Sequence, residues 1–434
     1  MEEIPYLVIR SSLIGNFLRG EIYNFLEIKI FFFGMVSALL IIDVLTMFML
    51  IKGETIILNG SKCRPKKMGG NMKTGNLVKK TLVAMLLALA VAGMFITAAP
   101  AQIAGHNVLF IHGFVPEDLI NNPSDEEIYA RRIHSSYFRE RSEGFLNWSS
   151  AERVEGRISE QLFEQAKVYS EQGLCDDGGC VLVTVSTGDQ VARHFIENQA
   201  AWLENAGYKP LNIIATLDFV GAGGGTDMAD LAVGAAFLPA ATKTIVALAF
   251  GLSQDLNNYN NLGVINDLTY NGARSLSMEP NDIPRLRFSA GGNGGLDTLN
   301  PMSQLIRGED DTLIPASSSC GASSPAGIES CSDYVNYDGK RGNYNGPDGL
   351  LYNHFPVLMA ADYSHYTLAD DEHKGRATYV YNNFNAGLNV DFDTYIKTVT
   401  RKWWQFWIET GTWQYVTDSD TKSVVRLVYE TLNE

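Results

Sequence analysis

Apolar and polar residues follow two distinct rhythms along the chain after residue 101. Short runs rich in β-branched residues predict strands, and longer stretches in which apolar residues recur every three to four positions predict helices. The predicted strands are Asn107–Ile111, Cys180–Val185, 212–219 and Arg285–Ala290, the predicted helices are 149–172 and 188–206, and residues 304–307 lead into a further strand. This alternation indicates an α/β protein whose sheet is mostly parallel and flanked by helices.

An unusually apolar segment follows the third of these strands. Between residues 229 and 252, apolar side chains crowd into two short helical runs on either side of Pro239. The pattern predicts a helical cap or lid insertion covering about residues 222–275. A cap that keeps its place and a lid that opens on its flanking glycines both fit the sequence.

The first 101 residues have a different pattern, with two long apolar runs. The first run, 25–51, is long enough to cross a bilayer, although three charged residues interrupt it. The second run, 81–96, follows three lysines and precedes the small residues Ala99, Pro100 and Ala101, which is the order of a signal peptide.

A signal peptide that begins so far into a chain favours a true start at Met72. Residues 1–71 are then an upstream extension, 72–101 a signal peptide cleaved near Ala101, and 102–434 the working domain, secreted or periplasmic. The alternative is a membrane anchor at 25–51 with a second span at 81–96.

Charge narrows the range of partners. The chain carries a formal net charge of -15, and the part from Gln102 onward carries -20 because the first 101 residues are basic. A negative field repels phosphate backbones, so we expect no nucleic-acid partner. No sequence feature predicts an obligate protein partner.

Cysteine spacing agrees with export. Cys175 and Cys180 form one close pair, and Cys320 and Cys331 form another. Local disulfides within each pair are the favoured reading among the three pairings that four cysteines allow. A zinc site is the alternative, but neither pair has the usual two-residue spacing.

Candidate active-site residues follow the ends of two predicted strands. The first strand ends in His-Gly-Phe at residues 112–114, a glycine-assisted turn whose backbone N–H can point into a site. The second runs through Ser186 and Gly188 into a helix, which projects a serine hydroxyl from the sheet edge. A nucleophile elbow usually reads Gly-x-Ser-x-Gly, and Thr184 stands where its first glycine belongs, so a helix N-cap is the alternative role for Ser186.

An acid and a base follow in the order that such a serine requires. Residues 308–315 (GEDDTLIP) have the form of a loop that presents Asp311, with Asp310 as a substitute, and residues 362–366 (DYSHY) place His365 in a polar-aromatic loop. The order Ser, Asp, His is typical of a triad on this kind of sheet. His354 and His373 compete with His365, whereas His112 fits an oxyanion loop better than a base.

Together these residues resemble the α/β-hydrolase superfamily and, within it, the secreted bacterial true lipases of the triacylglycerol lipase type. The resemblance covers about residues 107–373. Two further segments are similar to those lipases: residues 224–231 (GGTDMADL), like the segment after their sixth strand, and 283–288 (IPRLRF), which leads the seventh. Thr184 and Asp189, where glycines are usual, depart from the pattern and put the substrate range in question.

The resemblance implies a secreted serine carboxylic-ester hydrolase, a lipase or esterase, that acts on a lipid or other ester and requires no cofactor. Ser186 would attack the carbonyl, His365 would move the proton and Asp311 would orient the imidazole. The backbone N–H groups of Phe114 and Thr187 would bind the oxyanion. A polyester depolymerase, a thioesterase, an acyltransferase and a non-catalytic binding module on the same scaffold stay open.

A possible calcium site and the C-terminal tryptophans each have two interpretations. Such lipases can hold a structural calcium ion near the histidine loop, and Asp297 with Asp370 or Asp371 could supply its carboxylates, unless these are only solvated acidic loops. The C-terminal stretch holds four tryptophans, which predict either an aromatic surface for an insoluble substrate or a buried helix stripe. They are Trp403, Trp404, Trp407 and Trp413.

Overall fold

The computed structural model describes residues 102–132, 136–252, 261–276, 281–292, 300–380, 388, 390–405 and 407–434. The predicted upstream extension, membrane anchor and signal peptide, residues 1–101, lie outside these ranges. Within the described ranges, no helix combines the length and the apolar character needed to cross a membrane.

A seven-stranded sheet in the order β2-β1-β3-β4-β5-β6-β7 occupies the centre of the described chain. Its strands are β1 Asn107–Ile111, β2 Gly144–Phe145, β3 Cys180–Val185, β4 Ile213–Phe219, β5 Arg285–Ala290, β6 His354–Ala360 and β7 Ala377–Tyr379. All neighbouring strands are parallel except β6 and β7. The predicted mostly parallel sheet is confirmed, and its four predicted strands match to within one residue.

Helices cover both faces of this sheet. They are α1 Asp118–Asn121, α2 Asp125–Tyr129, α3 Ser136–Arg139, α4 Ser159–Glu171, α5 Gly188–Asn205, α6 Asp227–Val233, α7 Ala240–Ala249, α8 Tyr270–Ser275, α9 Ala316–Ser319 and α10 Val424–Asn433. The core around α4 and α5 takes one set of strand residues, and the core that includes α10 takes the alternate set. Burial on both faces explains why β3 is an almost continuous apolar run.

One predicted helix begins later than expected, and one predicted strand does not form. The helix predicted at 149–172 is regular only over Ser159–Glu171, after an irregular turn at Val154–Ile158. The Asp267 carboxylate binds the Arg153 side chain and the Val154 N–H, which holds Arg153 in an extended conformation and prevents an earlier start. Residues 304–307 lead into a tight loop instead of a strand.

The described part of the predicted cap, 222–252 and 261–275, contains α6, α7 and α8. A 3-10 turn at Ala235–Phe237 and Pro239 join α6 to α7, and a second 3-10 turn, Gly263–Asn266, precedes α8. One side packs into its own apolar core, whereas Phe237 is 94% exposed on the other. Of the two alternatives for the tryptophan segment, the structure does not contain the buried helix stripe. That segment is a hairpin of β8, Thr394–Val399, and β9, Gly411–Val416, which adds a second small sheet.

Candidate active site

Ser186 lies on the sharp turn between β3 and α5, where its backbone adopts a φ of 58°. This left-handed conformation is costly for a residue with a side chain, and it projects the hydroxyl out of the sheet edge. Close packing maintains the turn: a Cβ at Gly188 would lie 2.6 Å from the carbonyl oxygen of His112. The absence of a side chain at Gly188, two residues after the serine, is therefore a steric requirement of the fold.

His365 connects Ser186 to Asp311. Its Nε2 lies 2.9 Å from the Ser186 Oγ, and its Nδ1 lies 2.9 Å from an Asp311 carboxylate oxygen. The Asp311 side chain is fully buried, and the other two side chains are almost so. The three residues predicted as nucleophile, acid and base are thus in one hydrogen-bonded chain, although they come from separate loops.

The acid loop is shaped to hold the Asp311 carboxylate. Its Oδ1 accepts hydrogen bonds from the backbone N–H groups of Leu313 and Ile314, at 3.0 and 2.7 Å, which leaves Oδ2 for His365. The backbone N–H of His365 also donates to the Asp311 carbonyl, at 2.8 Å. The two loops are therefore fixed to each other by main chain and side chain together.

The rival residues lie elsewhere. The Asp310 carboxylate accepts hydrogen bonds from the Ser303 hydroxyl and the Thr312 N–H, and burial raises the pKa of this carboxyl to about 6. His354 is buried beside two arginines, and burial together with those cations lowers its pKa well below its ordinary value. His373 binds the carbonyl of Asp362. None of these three contacts Ser186 within the described residues.

The loop after β1 presents the predicted oxyanion N–H of Phe114. His112 stacks on Trp148 with ring centroids 4.9 Å apart, and its Nδ1 lies 2.6 Å from the Gly113 carbonyl oxygen. Because C=O and N–H point in opposite directions across a trans peptide, this bond turns the Phe114 N–H away from His112. Phe114 and Thr187 both line the cavity at Ser186, and neither N–H has an acceptor among the described residues.

The two departures from the elbow pattern have partners in a buried ionic layer beneath Ser186. Thr184 donates to Asp218 at 2.7 Å, and Asp189 accepts from the Gly223 N–H at 2.7 Å. Arg285 and Arg287 bind both carboxylates, at 2.7 to 3.3 Å. We refer to these side chains as the ionic layer: Thr184, Asp189, Asp218, Arg285 and Arg287.

Sequence reasoning missed this layer. Arg285 and Arg287 alternate with Leu286 and Phe288 in β5, a period of two that places both arginines on one face of the sheet. That alternation was the available signal. Burial raises the pKa of Asp189, but the two guanidinium groups outweigh burial and hold this pKa well below its ordinary value.

An apolar cavity of about 350 Å³ opens at Ser186 and His365. Its apolar lining comes from the oxyanion loop, the cap and the acid loop, namely Phe114, Ala249, Phe250, Leu268, Leu313 and Ile314. The Tyr366 hydroxyl donates to the Ala249 carbonyl at 3.2 Å, which ties the histidine loop to the cap. An apolar group bound here would lie directly beside the serine hydroxyl.

The predicted calcium site stays a prediction, because one of its three carboxylates cannot be placed. Asp297 lies outside the described ranges. Asp371 accepts hydrogen bonds from Ser423 and the Arg426 guanidinium, and Asp370 binds the backbone N–H of Glu372. The described part of the chain contains no group of three or more metal-binding side chains, but this search does not include Asp297.

Both predicted disulfides are present. Cys175 is bonded to Cys180, the first residue of β3, and Cys320 is bonded to Cys331 after the acid loop. The zinc alternative for these four cysteines is therefore wrong.

Searches against protein-family models and against curated proteins find no match to the chain. Solved structures similar to it include a lipase from Bacillus licheniformis, at 13% identity and a TM-score of 0.32, covering 51% of this chain and 80% of that one. EstA from Clostridium botulinum matches at 13% identity and a TM-score of 0.34, covering 63% of this chain and 85% of EstA. Phospholipase PlaB from Legionella pneumophila matches at 12% identity and a TM-score of 0.30. That match covers 49% of this chain and 45% of PlaB, so this chain spans less than half of PlaB.

The fold can be assigned from the chain's own architecture. Parallel strands flanked by helices on both faces carry a serine on a strained strand-to-helix turn, and an acid and a histidine follow it from later loops. This mostly parallel sheet, with its flanking helices and helical cap, is an α/β-hydrolase fold.

Proposed function

We propose that this protein is a serine carboxylic-ester hydrolase of the lipase or esterase type. The observation that carries the proposal is the hydrogen-bonded chain Ser186–His365–Asp311 at the wall of an apolar cavity. An apolar cavity suits an acyl chain, and a serine hydrogen-bonded to a histidine can be deprotonated as it attacks.

The proposed reaction has two steps. The Ser186 Oγ attacks the ester carbonyl while His365 Nε2 takes its proton, and the N–H groups of Phe114 and Thr187 stabilise the oxyanion. His365 then gives that proton to the departing alcohol, which leaves an acyl group on Ser186. Water, deprotonated by His365, attacks the acyl-enzyme, the bond between the acyl carbon and the Ser186 Oγ breaks, and His365 returns its proton to that Oγ as the acid leaves.

Asp311 and the ionic layer have supporting roles in this proposal. The buried Asp311 carboxylate keeps the proton of the neutral imidazole on Nδ1, so that Nε2 faces the serine, and it stabilises the imidazolium that forms during attack. The ionic layer holds the Ser186 turn from below. We also propose that the protein works after export, because both cysteine pairs are disulfides.

A fluorophosphonate probe tests the proposal directly. We expect the probe to label the wild-type protein on the peptide that contains Ser186, and Ser186→Ala to abolish the labelling, because only an activated serine reacts with it. Ser142→Ala, a matched change at a serine bonded to the Phe138 carbonyl, should label normally. Mass spectrometry locates the adduct, and a folded wild-type protein that the probe leaves unlabelled would exclude a serine hydrolase.

The size of the cavity leads to an expectation about acyl length. About 350 Å³ lies near the lower end of small-molecule sites, so a butyrate ester should have a higher kcat/KM than a palmitate ester. Phe250→Ala removes a ring from the cavity wall and should raise the palmitate to butyrate ratio by about tenfold. Phe237→Ala, on the exposed side of the cap, should leave the ratio unchanged. A palmitate preference in the wild type would contradict a closed, short acyl site.

Hydrolysis and acyl transfer are separated in the same assay. Release of free acid in water, unchanged by an added alcohol, supports a hydrolase. Formation of a new ester with that alcohol in preference to free acid would indicate an acyltransferase on the same site.

A further inference from the structure

The strongest exposed apolar feature outside the active site is the connection between β8 and β9. Three of the six tryptophans of the chain lie there, and Trp403, Trp407 and Trp404 are 88%, 68% and 48% exposed. Arg401 and Lys402 directly precede them. We call this cluster the tryptophan tip: Arg401, Lys402, Trp403, Trp404 and Trp407.

The base of the hairpin is firmly attached to the domain. Trp413 and Tyr415 of β9 are buried, and the Gln414 N–H donates to the Gly339 carbonyl at 2.8 Å. The Arg341 N–H donates to the Thr412 carbonyl at the same distance. The exposed tryptophans are therefore presented on an anchored strand pair.

Exposed tryptophans need a physical reason, because each leaves a large apolar surface in water. Tryptophan has an apolar ring system and a polar N–H, which makes the interface between lipid headgroups and acyl chains its preferred environment. Arginine and lysine beside such rings add attraction to anionic headgroups. The tip combines both features in one loop.

Local charge supports an anionic partner. From Gln102 onward the chain carries -20, yet residues 394–416 contain three basic residues and one acidic residue, Glu409. Glu409 is paired with Lys340, which lies outside the hairpin. The hairpin is thus a positive element on a negative protein, and it can approach an anionic surface that the rest of the chain repels.

Ring geometry favours a lipid surface over a polysaccharide surface. The rings of Trp403 and Trp404 stand nearly perpendicular, at 88°, with centroids 5.6 Å apart. A flat sugar chain would need coplanar rings to stack on, whereas a bilayer interface accepts rings in any orientation. Lys402 lies over the Trp404 ring at 5.1 Å, which places a cation at the apolar surface.

We propose that the tryptophan tip docks this protein on the surface of a phospholipid bilayer that contains anionic lipid. The rings insert at headgroup level, and the neighbouring cations contact lipid phosphates. No residue of the tip is among those that line the cavity at Ser186, so docking does not depend on the proposed ester hydrolysis.

Vesicle co-sedimentation tests the docking with the protein from residue 102 onward. We expect binding to vesicles of equimolar phosphatidylcholine and phosphatidylglycerol, and weaker binding to phosphatidylcholine alone. The double variant Trp403→Ser, Trp407→Ser should lower binding to both kinds of vesicle by about tenfold or more, since each ring contributes buried apolar area. Quenching of tryptophan fluorescence by brominated lipid should fall in parallel.

Charge reversal separates the contribution of the cations from the contribution of the tryptophan rings to vesicle binding. Arg401→Glu with Lys402→Glu should reduce binding to the anionic vesicles by about tenfold and change binding to neutral vesicles little. The matched control is Tyr334→Ser with Tyr352→Ser, two exposed aromatic residues outside residues 394–416, which should bind as the wild type does. Thermal melting confirms that each variant is folded.

Several outcomes would overturn the proposal. Failure of the wild type to bind either kind of vesicle is one, and binding of the tryptophan variant equal to that of the wild type is another. Tryptophan-dependent adsorption to cellulose or chitin without vesicle binding would indicate a polymer surface. A tryptophan-dependent dimer in light scattering, again without vesicle binding, would indicate a second copy of the chain.

Discussion

Ser186→Ala is expected to lower kcat/KM for a soluble butyrate ester by about a thousandfold or more and to leave the melting temperature unchanged. The hydroxyl contributes the nucleophile of the proposed reaction, and the activity left would come from the oxyanion groups and substrate binding alone. The Ser186 side chain is small and bonds only His365 through its Oγ, so its loss creates no cavity in the core. Steady-state kinetics and calorimetry measure the two quantities.

Neighbouring carboxylates provide a sharper comparison for the same site. Asp311→Asn should cost about a thousandfold in kcat, because an amide cannot hold the imidazole in the required tautomer. Asp310→Asn changes the adjacent side chain in the same way, but Asp310 bonds Ser303 and the Thr312 N–H, so kcat should stay within about twofold.

Other results would point to a different site. Ser186→Ala with a tenth of the wild-type turnover would exclude Ser186 as nucleophile. Equal losses from the two aspartate variants would show that the acid loop acts through its fold alone.

The sequence predicts the candidate catalytic residues better than the buried residues that hold them in place. Ser186, Asp311 and His365 follow strand ends in a recognisable order, and each sits in a short local motif. Contacts within a loop are encoded by neighbouring residues, such as the bonds from Leu313 and Ile314 to Asp311. Local motifs of this kind can be interpreted without knowledge of the rest of the fold.

Long-range contacts account for the errors. The late start of α4 depends on Asp267, which lies 114 positions away from Arg153. The ionic layer depends on register: Thr184 is level with Asp218 of β4, and Asp218 is level with Arg287 of β5. A single strand does not reveal its neighbours' register, so Thr184 and Asp189 looked like departures from the elbow pattern when each has a partner.

The ionic layer leads to the second large expected effect. Asp189→Asn should lower the free energy of unfolding at neutral pH by about 3 to 5 kcal/mol, which is the usual cost of removing one partner from a buried ion pair. Asp189 is fully buried and binds Arg285 and Arg287, whose charges would then be incompletely balanced. Urea unfolding followed by circular dichroism measures the change.

Two further variants set the scale of that loss. Thr184→Val removes only the hydroxyl that donates to Asp218 and should cost about 1 to 2 kcal/mol. It therefore provides a measurement even where Asp189→Asn fails to fold. Glu160→Gln breaks an exposed ion pair with Arg157 and should change stability little, because water screens that pair.

Acid should narrow the difference in unfolding free energy between Asp189→Asn and the wild type. The two arginines hold the folded-state pKa of Asp189 well below its ordinary value, so its contribution to stability is complete above the unfolded pKa of about 4 and is lost as the pH falls below that value. The two unfolding free energies should therefore differ most at neutral pH and converge toward pH ~2. A deficit that stays constant from neutral pH to pH ~2 would mean that Asp189 stabilises the Ser186 turn through packing and the Gly223 hydrogen bond, with no net contribution from its charge.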